Sequence, residues 1–351
     1  MEFTADLAGK KCVKCDLEAK FTGVDPKKAW YCTECFQQMA RNKFRSAISK
    51  KKIYKDAEAR NTLVVYDGSP SAAFLLNQVD DALKQINFKR LMIQPTILVL
   101  VSVTDANDIQ LVIDRVQEIK KVLVEKVHWV VAHVASCMYS SGELGELSDS
   151  TVCNGIGKIP DYLSLLESCS VPTYRKELER ILKERCLLNI GEVIGISKLM
   201  VPDDADDLGR LALSQLCLGR GGAVSTLVSV VDKRSKFVFI RPLRDVAKKE
   251  ISIYNHLTGI DSHCIQIKSE NNLKSIQSLT DSFIRTLEAE KFYSTINTVM
   301  STATKIHSNT SGEVNSRMCS LCHVESGTTC ETCSAIKDQC TSDLIRGFLV
   351  V

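Results

Sequence analysis

Strand-like apolar runs alternate with helix-spaced apolar positions through the middle of the chain. The runs, which have the length and composition of buried strands, lie at 62–66, 96–103, 127–135 and 198–201. Apolar residues recur with helical spacing at 71–89, 107–123 and 174–188. Because strands that alternate with helices form parallel sheets, the pattern predicts an α/β fold with helices on both faces of a parallel sheet.

The turn after the first of these strands is the candidate binding loop. It reads Asp67-Gly68-Ser69-Pro70-Ser71 and joins the strand to the next helix. A Gly/Ser turn in this position directs free backbone N–H groups at an anion, although many α/β proteins use such turns only as connections. Right-handed crossovers place it at the carboxyl edge of the sheet, where ligands of such folds bind. Gly68, Ser69 and Ser71 are therefore the candidate nucleotide-binding residues.

The remainder of the core is less regular. Residues 136–172 are poor in periodicity and are interpreted as a surface insertion. Residues 202–222 predict a helix whose acidic start at 203–207 caps its N-terminus, although four carboxylates together also suit Mg²⁺. The other predicted elements are a strand and a helix within 236–257, helices at 273–290 and 292–305, and a polar linker at 308–317.

Composition narrows the class of protein. The 351 residues are 44% hydrophobic and 25% charged, as in ordinary globular proteins, and a net charge of +3 predicts no overall attraction to nucleic acid. The N-terminus lacks the pattern of a secretory signal peptide, and no apolar run approaches the length of a membrane span. We therefore expect a cytoplasmic protein that does not act at a membrane.

The 15 cysteines carry the strongest chemical signal. In a reducing compartment, clustered cysteines bind metal more often than they form disulfides. Eight of them form four Cys-x-x-Cys pairs, two at each end of the chain, which predicts two structural zinc sites with four thiolates each. The predicted ligands are Cys12, Cys15, Cys32 and Cys35 in the first site, and Cys319, Cys322, Cys330 and Cys333 in the second. In the second site, His323 or Cys340 could substitute for one ligand.

A basic segment follows the first cysteine site. Residues 41–55 contain seven Lys or Arg side chains and no acid, with Phe44 and Ile48 on one helical face. An amphipathic helix with a solvated basic face explains this pattern, and so does contact with the phosphate backbone of RNA. The RNA hypothesis assigns the contacts to Arg41, Lys43, Arg45, Lys50, Lys51 and Lys52.

The order of these parts resembles the PP-loop enzymes, the N-type ATP pyrophosphatases that thiolate tRNA. Their loop reads Ser-Gly-Gly-x-Asp-Ser, whereas residues 66–71 here read Tyr-Asp-Gly-Ser-Pro-Ser, so that only Gly68 and Ser71 agree. Ala-Asp-Asp at 205–207 matches the end of that family's Gly-His-Asn-Ala-Asp-Asp helix start. Two further matches are Arg-Pro-Leu at 241–243 and Lys-Glu-Ile at 249–251.

Within this group, the chain is similar to the cytoplasmic tRNA 2-thiolation protein 2 family, whose loop is likewise altered around Asp-Gly-Ser and which has a Gly-Arg-Gly like that at 219–221. The resemblance implies a subunit of a heterodimer with a catalytic PP-loop thiolation subunit. The pair would move sulfur from a thiocarboxylated ubiquitin-like carrier to the wobble uridine of tRNAs for Lys, Glu and Gln.

The chain then divides into five parts. They are an N-terminal zinc knuckle at 1–40, a basic linker helix at 41–60, a degenerate PP-loop core at 61–260, C-terminal helices at 261–310, and a C-terminal zinc knuckle with a tail at 311–351.

The altered loop argues against ATP binding and against catalysis by this chain alone. Pro70 stands where the family has Asp and supplies neither a carboxylate nor an N–H, and Asp67 would repel phosphate. The mid-chain Cys-x-x-Cys of catalytic relatives is missing, since Cys169 and Cys186 are not a pair. Cys264 lies near the relatives' third cysteine, but a single cysteine is more often a packing residue.

Three hypotheses are compatible with these residues. The favoured one is a non-catalytic scaffold that completes a heterodimer and helps to bind tRNA. The second is an active ATP-dependent tRNA sulfurtransferase that uses residues 203–207 for Mg²⁺ and Cys264 as the sulfur carrier. The third is a zinc adaptor without any RNA function.

Overall fold

A computed structural model gives the fold of most of the chain. It describes residues 9–25, 27–54, 60–85, 91–123, 127–139, 143–145, 147, 150–234, 236–265, 274–290, 292, 294–306, 318–324 and 329–340. The linker predicted at 308–317 lies outside these ranges.

The described chain begins with a small cysteine module that leads into a long helix. Strands β1 (Phe21–Thr22) and β2 (Trp30–Tyr31) pair antiparallel, and helix α1 (Thr33–Lys50) follows directly. The helix therefore begins inside the cysteine module, so that the predicted division at residue 40 falls within one element. Its apolar face is buried through Phe36, Ala40, Phe44, Ala47 and Ile48.

A seven-stranded sheet forms the centre of the molecule. Its strands are β3 (Asn61–Tyr66), β4 (Gln94–Val101), β5 (His128–His133), β6 (Cys153–Asn154), β7 (Lys198–Met200), β8 (Val231–Arg234) and β9 (Phe237–Ile240). They lie in the order β6-β5-β4-β3-β7-β9-β8, and β8 alone among them runs antiparallel to its neighbour. The predicted α/β class with a mostly parallel sheet is confirmed.

The other helices pack on this sheet or on one another. They are α2 (Pro70–Lys84), α3 (Ala106–Val122), α4 (Ile159–Ser168), α5 (Pro172–Ile194), α6 (Ala205–Cys217), α7 (Gly221–Leu227), α8 (Lys248–Thr258), α9 (Ile276–Ala289), α10 (Thr295–Ala303) and α11 (Glu331–Gln339). Among the helices described, none has the length and apolar character needed to cross a bilayer.

The prediction that 136–172 is a surface insertion is wrong. This segment supplies the edge strand β6 and the helix α4, and Tyr162, Leu165 and Leu166 of α4 belong to the main core. The short elements β8 and α7 also had no clear sequence pattern.

The core itself is continuous from α1 through the sheet to the C-terminal cysteine module, with a second apolar cluster among α6, α7, α9 and α10.

A partly buried ion pair joins α1 to the core helix α8. The Lys43 ammonium lies 2.5 Å from a carboxylate oxygen of Glu250, whose side chain is only 3% exposed. Glu250 also accepts the Ala247 N–H at 3.0 Å and so caps α8. Beside this pair, the Arg41 Nε donates to the Tyr254 hydroxyl at 3.1 Å. These contacts hold the basic helix against the sheet layer.

We expect Glu250→Ala to destabilise the protein by about 2–4 kcal/mol, because it removes a helix cap and leaves the Lys43 ammonium without its partner. The matched control is Glu118→Ala, which removes the exposed pair with Arg115 on α3 and should change stability by less than about 1 kcal/mol. Equilibrium unfolding in urea measures both. Equal effects of the two substitutions would contradict the buried contact.

Candidate functional site

The candidate loop lies where the strand order reverses. Chain order runs from β3 to β4 on one side of the sheet and later returns to β7 on the other side of β3. Ligands of open α/β sheets bind outside the carboxyl ends of the strands at such a point. A cavity of about 210 Å³ is present here, lined among others by Val65, Lys183, Val201, Asp203 and Arg241. The structure therefore places the loop at the location expected for a ligand site.

The loop's hydroxyl groups are used to build the fold. Ser69 is the N-cap of α2, and its Oγ accepts the Ala72 N–H at 3.1 Å. The Ser71 hydroxyl donates to the Asp204 carboxylate at 2.7 Å in a buried contact. Gly68 has a φ of +77°, which only glycine adopts without strain. Ser69 and Ser71 thus have local structural roles, and the Ser71 hydroxyl already donates its proton to Asp204.

The chain's own residues 263–265 cover the loop. The Ile265 N–H donates to the Gly68 carbonyl at 2.9 Å, and the Tyr66 hydroxyl donates to the His263 carbonyl. A Cβ atom added to Gly68 would lie 2.9 Å from the Cβ of Ile265. From α8, the Asn255 amide donates to the Pro70 carbonyl at 2.9 Å. The Gly68 and Pro70 carbonyls are therefore hydrogen-bonded within the protein, and Ile265 packs against the loop.

The charge within the loop is also unfavourable for a phosphate. Asp67 accepts the Ser69 N–H at 3.2 Å and forms an ion pair with Lys183 of α5 at 3.2 Å. Burial disfavours ionisation of Asp67, but the Lys183 ammonium and the hydrogen bonds from Ser69 outweigh it and hold the pKa of Asp67 below its usual value. The ionised Asp67 carboxylate therefore accepts the Ser69 N–H and offsets the charge of Lys183.

The acidic cluster at 203–207 acts as a helix cap. The Asp204 carboxylate accepts the N–H groups of Asp206 at 3.0 Å and Asp207 at 2.9 Å. Asp206 accepts the Lys248 N–H at 2.7 Å, and Asp203 accepts the Nε of Arg241 at 3.0 Å. These contacts account for the acidic residues without a Mg²⁺ ion, in line with the capping interpretation of the sequence.

The N-terminal cysteines come together as a metal-binding group. The Sγ atoms of Cys12, Cys15, Cys32 and Cys35 all lie within 4.8 Å of one another. Cys15 is 3.6 Å from Cys32 and 3.7 Å from Cys35. A tetrahedral ion with bonds of about 2.3 Å has ligand separations of about 3.8 Å, so these positions fit such an ion.

The C-terminal group has the same design. The Sγ atoms of Cys319, Cys322, Cys330 and Cys333 lie within 4.8 Å of one another. In each module, the second cysteine pair occupies the N-cap and the third residue of a helix, α1 or α11. A helix N-terminus favours negative charge, as thiolates bring. The suggested substitutes are outside the group, since His323 is exposed and Cys340 packs beside Cys169.

An arginine from the core contacts the C-terminal group. Arg220, only 5% exposed, donates from Nη2 to the Cys333 Sγ at 3.1 Å and from Nε to the Cys330 Sγ at 3.4 Å. Its Nη1 donates to the buried carboxylate of Glu177 on α5. Four thiolates around a divalent ion carry an excess negative charge, which a guanidinium offsets. Apart from the Gly-Arg-Gly match, the sequence contained no signal for this role of Arg220, and none for Lys183 or Ile265.

The remaining predicted residues are dispersed. Cys169 and Cys186 are fully buried at separate positions in the core, and Cys264 is half-buried beside the loop. Burial, with a contribution from Asp261, raises the pKa of the Cys264 thiol, which disfavours the reactive thiolate. Of the RNA candidates, Arg41, Lys43 and Arg45 contact Tyr254, Glu250 and Asp81 within the protein, whereas Lys50, Lys51 and Lys52 are exposed.

Comparison with known proteins identifies the family. A sequence profile described as "Cytoplasmic tRNA 2-thiolation protein 2" matches residues 275–344. A protein of that name from Caenorhabditis elegans is 64% identical over 345 residues, which cover 98% of this chain and 97% of the relative. The chain belongs to the cytoplasmic tRNA 2-thiolation protein 2 family. A Drosophila melanogaster member is 26% identical over 328 residues, covering 88% of this chain and 76% of the relative. The predicted family and its cytoplasmic location are confirmed.

The fold is shared with a solved tRNA thiolase. The structure titled U34-tRNA thiolase NcsA from Methanococcus maripaludis with its 4Fe–4S cluster superimposes with a TM-score of 0.64 at 12% sequence identity. The match covers 97% of this chain and all of that one. At this identity the likeness shows the fold, and it confirms the PP-loop architecture predicted for this member of the family.

Gly68→Ala tests the contact between the loop and residue 265. We expect a loss of about 2–4 kcal/mol, because a Cβ atom adds a steric clash to the cost of a positive φ. Gly195→Ala is the matched control: its φ is +75°, but no atom lies within 4 Å of an added Cβ, so that it should cost only about 1–2 kcal/mol. Denaturant unfolding measures both, and equal costs would mean that the loop is open in solution.

Arg220→Lys tests the contact with the C-terminal cysteines. Since groups that hydrogen-bond to metal ligands tune affinity by about 10–100-fold, we expect at least a tenfold loss of metal affinity at this site and none at the N-terminal site. Competition with a chromophoric chelator measures the metal affinity of the two sites. The variant Cys319→Ser shows which phase of the titration belongs to the C-terminal site. Arg180→Lys is the control, because Arg180 also binds Glu177 but hydrogen-bonds to carboxylates rather than to cysteines. Unchanged affinity in Arg220→Lys would refute the contact.

Proposed function

We propose that this chain is the non-catalytic subunit of a heterodimeric tRNA 2-thiolation complex. Its partner is a catalytic PP-loop subunit, and together they convert the wobble uridine of tRNAs for Lys, Glu and Gln to the 2-thio form found in mcm5s2U. The sulfur comes from a thiocarboxylated ubiquitin-like carrier. In this complex the chain supports the catalytic subunit and helps to hold the tRNA.

The observation that carries the non-catalytic role is the covered loop. Adenylation needs backbone N–H donors around the pyrophosphate and an acid that helps to hold Mg²⁺. Here the Gly68 carbonyl accepts a hydrogen bond from the Ile265 N–H, and the Asp67 carboxylate accepts one from the Ser69 N–H. Pro70 has no N–H. Opening the loop for a triphosphate would break these contacts and bring phosphate against the Asp67 carboxylate. The adenylating step therefore belongs to another chain.

The sulfur-handling chemistry is likewise assigned to the partner. Direct sulfur transfer needs a thiolate that can reach its substrate. Cys169 and Cys186 are buried, and the pKa of Cys264 is raised by burial. The alternative of an active sulfurtransferase has no support from these positions.

We assign zinc to both four-cysteine groups, as structural ions. Each group presents four thiolates at tetrahedral spacing, and neither needs another ligand. All four thiolates are used to close each site, so that no position is left for a substrate. The zinc would add about 10–16 kcal/mol of folding free energy to each module, as in small zinc peptides. The five-part division of the chain is part of the same proposal, with α1 linking the first module to the PP-loop core.

The proposal predicts that activity depends on this chain but not on its loop. The chain alone should show no ATP–pyrophosphate exchange, while the heterodimer exchanges and thiolates tRNA. Cells without the chain should lose 2-thiouridine from tRNAs for Lys, Glu and Gln, measured by mass spectrometry of digested tRNA.

The loop variant Asp67→Asn should restore thiolation in those cells, because the residue has only a local contact with Lys183 and Ser69. The matched control is a change in the phosphate-binding loop of the catalytic partner, which should abolish thiolation. Robust exchange by the isolated chain, or loss of thiolation in Asp67→Asn at normal protein levels, would refute the non-catalytic role.

A further inference from the structure

A second cavity, far larger than the one at the loop, lies against the basic face of α1. Its volume is about 730 Å³, and it is bounded by the N-terminal cysteine module, by α1, by residues 229–230 and by residues 244–245. We propose that this groove binds the sugar–phosphate backbone of tRNA. The inference rests on the proposed function, since it supplies the surface through which this subunit would hold its substrate.

The charge of the groove is strongly one-sided. Five cations and one carboxylate line it. The carboxylate, that of Asp245, is already paired with Arg244 at 2.6 Å. The remaining cations are Lys14, Lys43, Lys50 and Lys51. Lys43 is neutralised by Glu250. The other three are exposed, and among the described residues no carboxylate pairs with them. Three uncompensated lysines from two separate elements therefore face one cavity.

The polar face of α1 extends this charge into a stripe. Asn42, Ser46 and Lys50 are spaced four residues apart, as are Lys43, Ala47 and Lys51, and all six line the groove. Residues with this spacing lie along one side of a helix. The stripe offers the neutral donors of Asn42 and Ser46 along α1 and the ammonium groups of Lys50 and Lys51 at its C-terminal end. Such a surface follows a phosphate backbone without reading its sequence.

The other features of the groove favour an RNA backbone over an acidic protein. Protein interfaces are depleted in lysine, whereas four of the five cations that line this groove are lysines. Among the lining residues, the two least exposed cations, Arg244 and Lys43, already contact Asp245 and Glu250, so that neither is free to select a small anion. Lysine is well suited to neutralise several phosphates in succession, because its ammonium acts as a point charge with rotatable donors.

The groove changes the list of RNA-binding candidates. Lys50 and Lys51 remain, whereas Arg41 and Arg45 contact the protein core and Lys52 is not among the lining residues. Lys14 joins them from the loop between the first two cysteine ligands, a position that the basic segment could not reveal. The surface therefore needs the folded N-terminal cysteine module as well as α1.

The test uses the heterodimer and labelled tRNA for Lys, with affinity measured by anisotropy between 50 and 200 mM salt. In the triple variant Lys14→Gln, Lys50→Gln, Lys51→Gln, we expect binding at least tenfold weaker. Each lost phosphate contact lowers the salt slope by about 1, so that the wild-type complex should lose about 50-fold more affinity than the variant over this range. The matched control replaces three exposed lysines outside the groove, Lys121, Lys233 and Lys274, with Gln.

A variant that adds charge separates binding from folding. Asn42→Lys places a fourth ammonium in the groove and should tighten tRNA binding severalfold and steepen the salt slope by about 1, which a misfolded protein would not do. Wild-type affinity and salt slope in the triple variant would overturn the inference while leaving the proposed function intact. Absence of tRNA binding by the wild-type heterodimer would overturn both. Loss of the catalytic partner from the triple variant, with tRNA affinity retained, would make the groove a protein interface and also overturn the inference.

Discussion

A buried carboxylate on α5, that of Glu177, is bound by one arginine of the same helix and by another from the turn before α7. The Glu177 side chain is 1% exposed and binds both Arg180 and Arg220. Leaving such a charge unpaired in the interior costs several kcal/mol. Helix α5 and the turn that carries Arg220 therefore stay in contact. Because Arg220 also contacts Cys330 and Cys333, this requirement extends to the C-terminal cysteine group. The C-terminal cysteine group is therefore joined to the core through Arg220.

The same helix reaches the candidate loop. Lys183, on α5, pairs with Asp67, and residues 263–265 close over Gly68. The carboxyl edge of the sheet thus keeps the geometry of a ligand site, while the Gly68 and Pro70 carbonyls and the Ser69 N–H are hydrogen-bonded within the protein. Each internal hydrogen bond is worth only about 1 kcal/mol, but several must break at once before a phosphate can enter. The PP-loop fold is retained here, and the chain's own residues cover the loop at its carboxyl edge.

Local sequence patterns predicted most of the framework. The apolar runs at β3, β4 and β5 and the helical spacing in α3 depend on neighbouring residues, and the structure has these elements within a few residues of the expected positions. The two cysteine groups were predicted because thiolate spacing is a local property. The segment 136–172 was misjudged because its short elements become regular only when they pack on the sheet edge. Lys183, Arg220 and Ile265 act on residues far away in sequence, so that no local pattern indicated them.

The unbroken course of α1 has a mechanical consequence. The helix starts at the ligand cysteines and ends at Lys50, so that about 22 Å of rigid rod separates Cys35 from that lysine. The contacts of Lys43 with Glu250 and of Arg41 with Tyr254 fix the middle of this rod to α8. Because the helix is continuous on both sides of that anchor, the orientation of the cysteine module and that of the terminal lysine are set together relative to the core.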